Sequence, residues 1–282
     1  MTFTIIVHAG AGAVDPSSLE TRRQGCLAAA QAGLRILAAG GLALDAVQAA
    51  VVALEDNPLF NAGTGSTLNR EGLVETDAAI MDGSNLRAGA VAAVSGIHNP
   101  IQLARAVMEH SPHVLLAGEG AYVFAKHHGV ATCNPDELIV PAQRNHWHEK
   151  HGTVGAVALD THGRLASATS TGGVFDKLPG RIGDTPLIGC GTYANLQAAV
   201  SCTGLGEDIT RTTLARHAAY LVEQGMMVAE AAARAISEFS AATGSEAGLI
   251  LVDRSGRTAH ARNTSNMPVC AMHADGHTDL QS

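Results

Sequence analysis

Aromatic side chains are scarce in this chain: five phenylalanines, three tyrosines and one tryptophan among 282 residues. Alanine and glycine fill the place they leave, so the expected core is one of small, closely packed side chains. Lysine is rarer still, with only Lys126, Lys150 and Lys177, and the net charge is −8. No basic run exists to neutralise phosphates, which argues against a nucleic-acid partner. No apolar run approaches the roughly 18–20 residues that a membrane-spanning helix needs. The N-terminal run Met1–His8 has no basic leader and reads as a first strand, not as a signal peptide. The five cysteines are odd in number and scattered, with no CxxC pair, so neither a disulfide framework nor a cysteine zinc site is expected. A reducing cytoplasm fits that usage best.

What is present is globular: 46% hydrophobic and 16% charged residues, enough for a sizeable core. Residues 3–8 read as a strand, 18–39 and 43–56 as helices, and 74–81 and 87–95 as strands. Asn99-Pro100 opens another helix, with asparagine and proline in the places a helix start favours. Residues 129–151 lose apolar periodicity and read as a linker. Strands at 153–160 and 164–170 face each other across Thr161-His162-Gly163. Helices follow at 207–224 and 227–242, then a hairpin of 247–253 with 257–262, a last strand near 267–272 and a frayed tail over 274–282. Strands in both halves with paired helices between them predict helix layers outside packed sheets.

Several motifs invite chemistry. Gly10-x-Gly12 follows a strand, but Asp15 stands at the third glycine position, so a dinucleotide fingerprint is not met. His146, His148 and His151 share no helix face, and could ligate zinc only as a loop, with help from Cys133, His127 or His128. Arg181 and Asp184 sit three apart in a Gly/Pro-rich loop. They read either as a local ion pair or as a clamp for a zwitterionic amino acid, guanidinium on carboxylate and carboxylate on ammonium. Cys202-Thr203-Gly204-Leu205-Gly206-Glu207 ends a strand and opens a helix, either as a simple turn or as oxyanion donors from the Thr203 hydroxyl and the Gly204 N–H. Most telling is Gly152-Thr153 ahead of an apolar strand, with Thr169-Ser170-Thr171-Gly172-Gly173 one hairpin later. Cleavage before Thr153 would give one residue both a hydroxyl nucleophile and an amine base.

Taken in order, seven segments resemble the plant-type asparaginase/isoaspartyl aminopeptidase family of N-terminal-nucleophile hydrolases. They are His8–Gly12, Asn57–Gly63, Met81–Gly83, Gly152–Gly155, Thr169–Gly173, Gly180–Asp184 and Cys202–Glu207. The resemblance spans essentially the whole chain. It implies an αββα sandwich, one domain over 1–282, cleaved between Gly152 and Thr153 into α (1–152) and β (153–282) chains that assemble as an (αβ)₂ homodimer. It implies Thr153 as nucleophile, Thr171 as its hydrogen-bond partner, Thr203 and Gly204 as oxyanion hole, Arg181 and Asp184 as the substrate clamp, and Asn61 at the border. It further implies a structural sodium ion on the backbone carbonyls of Leu54, Glu55, Asn57, Phe60, Ala62 and Thr64, with no organic cofactor. The implied activity is hydrolysis of β-aspartyl dipeptides and L-asparagine, both small-molecule or dipeptide substrates. Gly172 stands where lysosomal glycosylasparaginases typically carry asparagine, which argues against that branch, and the threonine-aspartase branch has a much longer chain. The competing class is a non-catalytic metal-binding protein built on the histidine cluster.

Overall fold

The computed structural model describes residues 2–141 and 152–281. Two sheets face each other. The larger has eight strands in the order β12-β11-β1-β5-β6-β2-β3-β4. Its members are β1 (Thr4–Ala9), β2 (Thr76–Asp82), β3 (Ala88–Val94), β4 (Leu115–Ala117), β5 (Val154–Leu159), β6 (Leu165–Thr171), β11 (Val269–His273) and β12 (Thr278–Gln281). The smaller orders β10-β9-β8-β7, from β7 (Thr192–Ala194), β8 (Ala198–Gly204), β9 (Ala247–Asp253) and β10 (Thr258–Arg262). Helices α1 (Leu19–Ala38), α2 (Ala43–Glu55) and α3 (Pro100–His110) cover the outer face of the large sheet, and α4 (Gly118–His127) packs beside β3. On the small sheet lie α6 (Leu214–Glu223) and α7 (Val228–Thr243), preceded by the short α5 (Gly206–Thr212).

Three apolar seams hold the layers. One joins helices to the large sheet, one lies between the sheets, and one joins the small sheet to its helices. This is the expected αββα sandwich. Strands buried on both faces have no solvent side to mark with polar residues, which is why β5 and β9 read as continuous apolar runs. The scarcity of aromatics has its counterpart in close approach. A Cβ on Gly33 of α1 would stand 2.8 Å from the Ala46 carbonyl oxygen of α2, and one on Gly89 of β3 2.6 Å from the Met108 nitrogen of α3.

Four expectations need correction. The helix expected over 207–224 is two, because Thr213 takes left-handed angles (φ 50, ψ 48) between α5 and α6. The tail is not frayed throughout: Cys270 pairs with Leu280, making β12 the sheet edge. Asn99 does not cap α3 with its side chain. Its Nδ2 instead donates to Asp56 Oδ1 (2.8 Å), while the Ile101 N–H is taken by the Glu55 carboxylate (3.0 Å). The first part of the expected linker is docked, through a 3-10 turn at Pro135–Leu138 whose buried Leu138 accepts from the Gly65 N–H (2.9 Å). Local sequence had no means of signalling that last contact, which is wholly tertiary.

Candidate active site

Sheet register brings the small residues of four strands into one row. Val154 lies opposite Ala9 of β1 and Ser170 of β6. Continuing that antiparallel pairing one step puts Thr153 between Gly10 and Thr171, and Asp77 of β2 stands beyond Thr171. The row ends at the edge of the sandwich, where the loop after β6 supplies Arg181 and Asp184 and the end of β8 supplies Thr203 and Gly204.

The Gly152–Thr153 bond is gripped from both sides. The Gly152 carbonyl accepts from Asn61 Nδ2 and from Thr171 Oγ1, each at 2.8 Å. Thr153 Oγ1 donates to Thr171 Oγ1 at 3.3 Å, and the Gly173 N–H donates to the same oxygen at 2.9 Å. Hydroxyl to hydroxyl to scissile carbonyl is thus one continuous chain. Asn61 is itself immobilised, donating to Gly173 O (2.6 Å) and accepting from the Thr67 N–H (2.8 Å). Gly172 has no room for a side chain, since a Cβ there would run into Asn61 Oδ1 and lie 2.7 Å from Ser66 Cβ.

A hollow next to Thr153 is walled by Thr171, Gly173, Arg181, Asp184, Gly204 and Gly206. Arg181 and Asp184 do not pair with each other. Arg181 is held by Glu207, Nε to Oε1 at 2.8 Å and Nη2 to Oε2 at 2.9 Å. Asp184 is 4% exposed and its Oδ2 has no hydrogen-bond partner among the described residues. Burial raises its carboxyl to about 7, against the pull of the nearby Arg181. A Cβ on Gly206 would stand 2.8 Å from both Arg181 Nη2 and Asp184 Oδ1, so glycine there keeps the two charges open to the hollow. An unpartnered anion beside a fixed cation suits a ligand that carries an ammonium and a carboxylate.

The two oxyanion candidates differ in position. Gly204 faces the hollow, whereas Thr203 is fully buried behind it. Its Oγ1 accepts from the Ala11 N–H (3.2 Å), which occupies a lone pair and leaves the hydroxyl proton to donate.

Three residues were not foreseen. Asp77 accepts from the Gly183 N–H (3.0 Å) and the Ala93 N–H (2.8 Å), tying the Arg181–Asp184 loop to the sheet; burial raises its carboxyl. Lys177 is buried and donates to Glu75 O at 2.6 Å, with its ammonium pKa lowered by burial. His8 hydrogen-bonds Ser201 Oγ through Nε2 (2.9 Å), and burial lowers its pKa to about 3, so it is neutral. A charged or titratable residue inside an apolar strand was the available signal for Asp77 and His8. The loop from Leu54 to Thr64 folds back on itself, with the Thr64 N–H on Glu55 O at 2.8 Å. His146, His148 and His151 lie outside the described residues. Among the described ones, no group of three or more His, Cys, Asp or Glu could hold a metal ion.

The chain matches the asparaginase family over residues 1–151 and 141–281. It is 45% identical to an isoaspartyl peptidase/L-asparaginase of Bos taurus, covering 96% of this chain and 93% of that one. It is 44% identical to an isoaspartyl peptidase of Salmonella typhimurium, covering 93% of each. The Escherichia coli isoaspartyl peptidase is 43% identical over 93% of this chain and 90% of its own. With this likeness running end to end, the chain belongs to the plant-type asparaginase/isoaspartyl peptidase family of N-terminal-nucleophile hydrolases.

Proposed function

We propose that this protein is an autoprocessed threonine amidohydrolase that cleaves β-aspartyl dipeptides and L-asparagine. The observation that carries the reading is the gripped Gly152–Thr153 bond beside a hollow holding Arg181 and Asp184. The relatives named isoaspartyl peptidase/L-asparaginase support it.

Maturation follows from the hydrogen-bond chain. Thr153 Oγ attacks the Gly152 carbonyl carbon and its proton passes towards Thr171. The oxyanion forms where Asn61 Nδ2 and Thr171 Oγ1 already donate. The peptide C–N bond breaks, the departing Thr153 nitrogen takes the hydroxyl's proton to become the free α-amine, and an ester links Gly152 to Thr153 Oγ. Water hydrolyses that ester, freeing the Thr153 hydroxyl and the Gly152 carboxylate. The products are chains 1–152 and 153–282.

In the mature protein that amine, with an ordinary pKa of about 7.7–8.0, takes the proton of the neighbouring hydroxyl near neutral pH. Arg181 holds the substrate α-carboxylate and Asp184 its α-ammonium, leaving the side-chain carbonyl to meet Thr153 Oγ. Gly204 N–H and Thr203 O–H receive the oxyanion. The C–N bond breaks, the leaving nitrogen takes the proton, and water completes the turnover of the β-aspartyl ester. The absence of space at Gly172 speaks against the glycosylasparaginase reading, whose asparagine would collide with Asn61.

The reading includes a sodium ion in the loop from Leu54 to Thr64. Gly65 (φ 94) packs against this loop, where a Cβ would lie 2.6 Å from Pro58 O and 2.8 Å from Phe60 O, the second being one of the expected ligands. Backbone oxygens of Leu54, Glu55, Asn57, Phe60, Ala62 and Thr64 would hold the ion, and oxygen-only ligation suits a hard cation. Its contribution would be to stiffen the loop that positions Asn61. The proposal includes assembly as (αβ)₂ and a reducing compartment, which five free cysteines support. No described helix is long and apolar enough to cross a membrane.

Matched digests of α- and β-linked Asp-Leu test the reading. The β isomer and L-asparagine should be hydrolysed and the α isomer spared, since its α-carboxylate is consumed in the bond. Hydrogen-bonding sites discriminate by about 10⁴ in such cases. Comparable cleavage of both isomers would overturn it.

A further inference from the structure

Arg181 and Asp184 ride on a stretch, residues 174–184, that belongs to no helix or named strand, yet it presents two charges to the hollow. Charged side chains hold it from behind. Glu75, just before β2, accepts the Gly180 N–H on both carboxylate oxygens (3.0 and 3.1 Å), and Asn69 Nδ2 steadies that carboxylate at 3.1 Å. Asp77, two residues further on, accepts from the Gly183 N–H. The stretch is thus tied on both sides of Arg181. Lys177 completes the attachment: 3% exposed, it donates from Nζ to the Glu75 carbonyl, and its own carbonyl accepts from the Arg70 N–H (2.8 Å).

The Lys177 ammonium does more than fill space. Desolvating a charge for one hydrogen bond is unfavourable, and an apolar chain of the same length would pack as well. Burial works against its charged form, which Asp77 and Glu75 favour and Arg181 opposes. A Cβ on Gly173 would stand 3.1 Å from Lys177 Nζ and 3.3 Å from Arg181 Nη1, so the two cations flank one glycine of the hollow's wall. Both act on Asp77, Lys177 more strongly than Arg181. Without Lys177 the pull of that buried anion would fall on Arg181, the cation assigned to the substrate. We propose that Lys177 and Glu75 are positioning residues for substrate binding, which hold the Arg181–Asp184 clamp towards the hollow and keep the Arg181 guanidinium from turning back to Asp77. The assignment rests on the proposed function. Neither residue lines the hollow, so each acts through the clamp and on every ligand with the same aspartyl head.

The test measures L-aspartate binding by calorimetry, and kcat and KM on L-asparagine and β-Asp-Leu, all with the mature protein. Lys177→Met keeps the buried stem and removes the charge. Affinity for L-aspartate should fall by about tenfold or more, and KM should rise by a like factor on both substrates with kcat nearly unchanged. Glu75→Ala acts on a half-buried side chain and removes only the Gly180 tie, so it decides the matter should Lys177→Met fail to fold. Its loss of affinity should be about threefold or more. Unchanged L-aspartate affinity in either folded variant overturns the proposal. A fall in kcat with affinity and KM intact overturns it as well, because the two residues would then serve the reaction centre or the fold and not the clamp. A wild type that hydrolyses neither substrate overturns the proposed function instead, and L-aspartate binding still reads the clamp.

Discussion

Thr153 is useful only because of what stands around it. Its hydroxyl, Thr171 and the Gly152 carbonyl form one hydrogen-bonded line, so each member has a separate expected effect. Thr153→Ala should remain a single 28.9 kDa chain without activity, and Thr153→Ser should still cleave, more slowly. Thr171→Ala removes one of two donors to the scissile carbonyl and should slow maturation by about 10²–10³, the usual cost of an oxyanion donor. Electrophoresis over time reads all three, and splitting of Thr153→Ala in a protease-free preparation would disprove self-cleavage. Asp184 yields a pH prediction. Its carboxyl, raised by burial to about 7, is neutral on the acid side and loses its hold on the substrate ammonium. KM for L-asparagine should therefore climb as pH falls below 7. A KM that is flat from pH 5.5 to 8 would remove Asp184 from the clamp.

Among elements, the junction of α5 and α6 is the instructive one. Apolar periodicity predicts one helix over 207–224, and nothing local forbids it. Thr213 nonetheless sits in the left-handed region, where a β-branched residue costs about 1–2 kcal/mol. The break lets α5 start beside Arg181 and Asp184 while α6 turns to cover β8. Thr213→Gly should relieve the strain and raise stability by about 1 kcal/mol, read as a higher midpoint in denaturant. A loss of that size would mean that the Thr213 hydroxyl, which donates to Thr212 O (2.8 Å), outweighs the backbone cost. The short β12 strand teaches the same lesson: four residues with half-exposed side chains gain order from pairing with β11, a partner and not a pattern.

At the scale of the whole molecule, titratable groups sealed within the sandwich link stability to pH. Asp184 has a folded pKa of about 7, far above the usual carboxyl value, so its contribution is present at low pH and lost as pH rises through 7. Asp77 acts in the same direction, and so does Glu55, whose carboxyl burial raises to about 8. His8 does the opposite: buried neutral with a pKa of about 3, it contributes above its unfolded value near 6.5 and that contribution fades as pH falls below it. From pH 6.5 to 8.5 the carboxyls act with little opposition from His8, so the melting temperature should drop across that interval. Asp184→Asn should lessen the drop and leave the part that Glu55 carries. An unchanged slope in that variant would place the pH dependence elsewhere.

Much was legible before any tertiary contact was known. Helix layers outside packed sheets follow from strands and paired helices in order, the family resemblance implies the αββα sandwich, and Gly152-Thr153, Arg181, Asp184 and Gly204 stand in motifs that proximity along the chain makes visible. Close small-residue packing follows from composition, because alanine and glycine leave no other way to fill a core. The tertiary structure alone decided what faces what. Register set Thr171 beside Thr153 across a strand pair, Glu207 took the guanidinium that could have closed on Asp184, and Asp77 anchored the clamp from more than a hundred residues away. A sequence records which groups can donate, accept or carry charge. Only the packing of both sheets determines which of them lose water, and hence whether an Asp184 is an ordinary surface carboxylate or one with a pKa near 7 waiting for an ammonium.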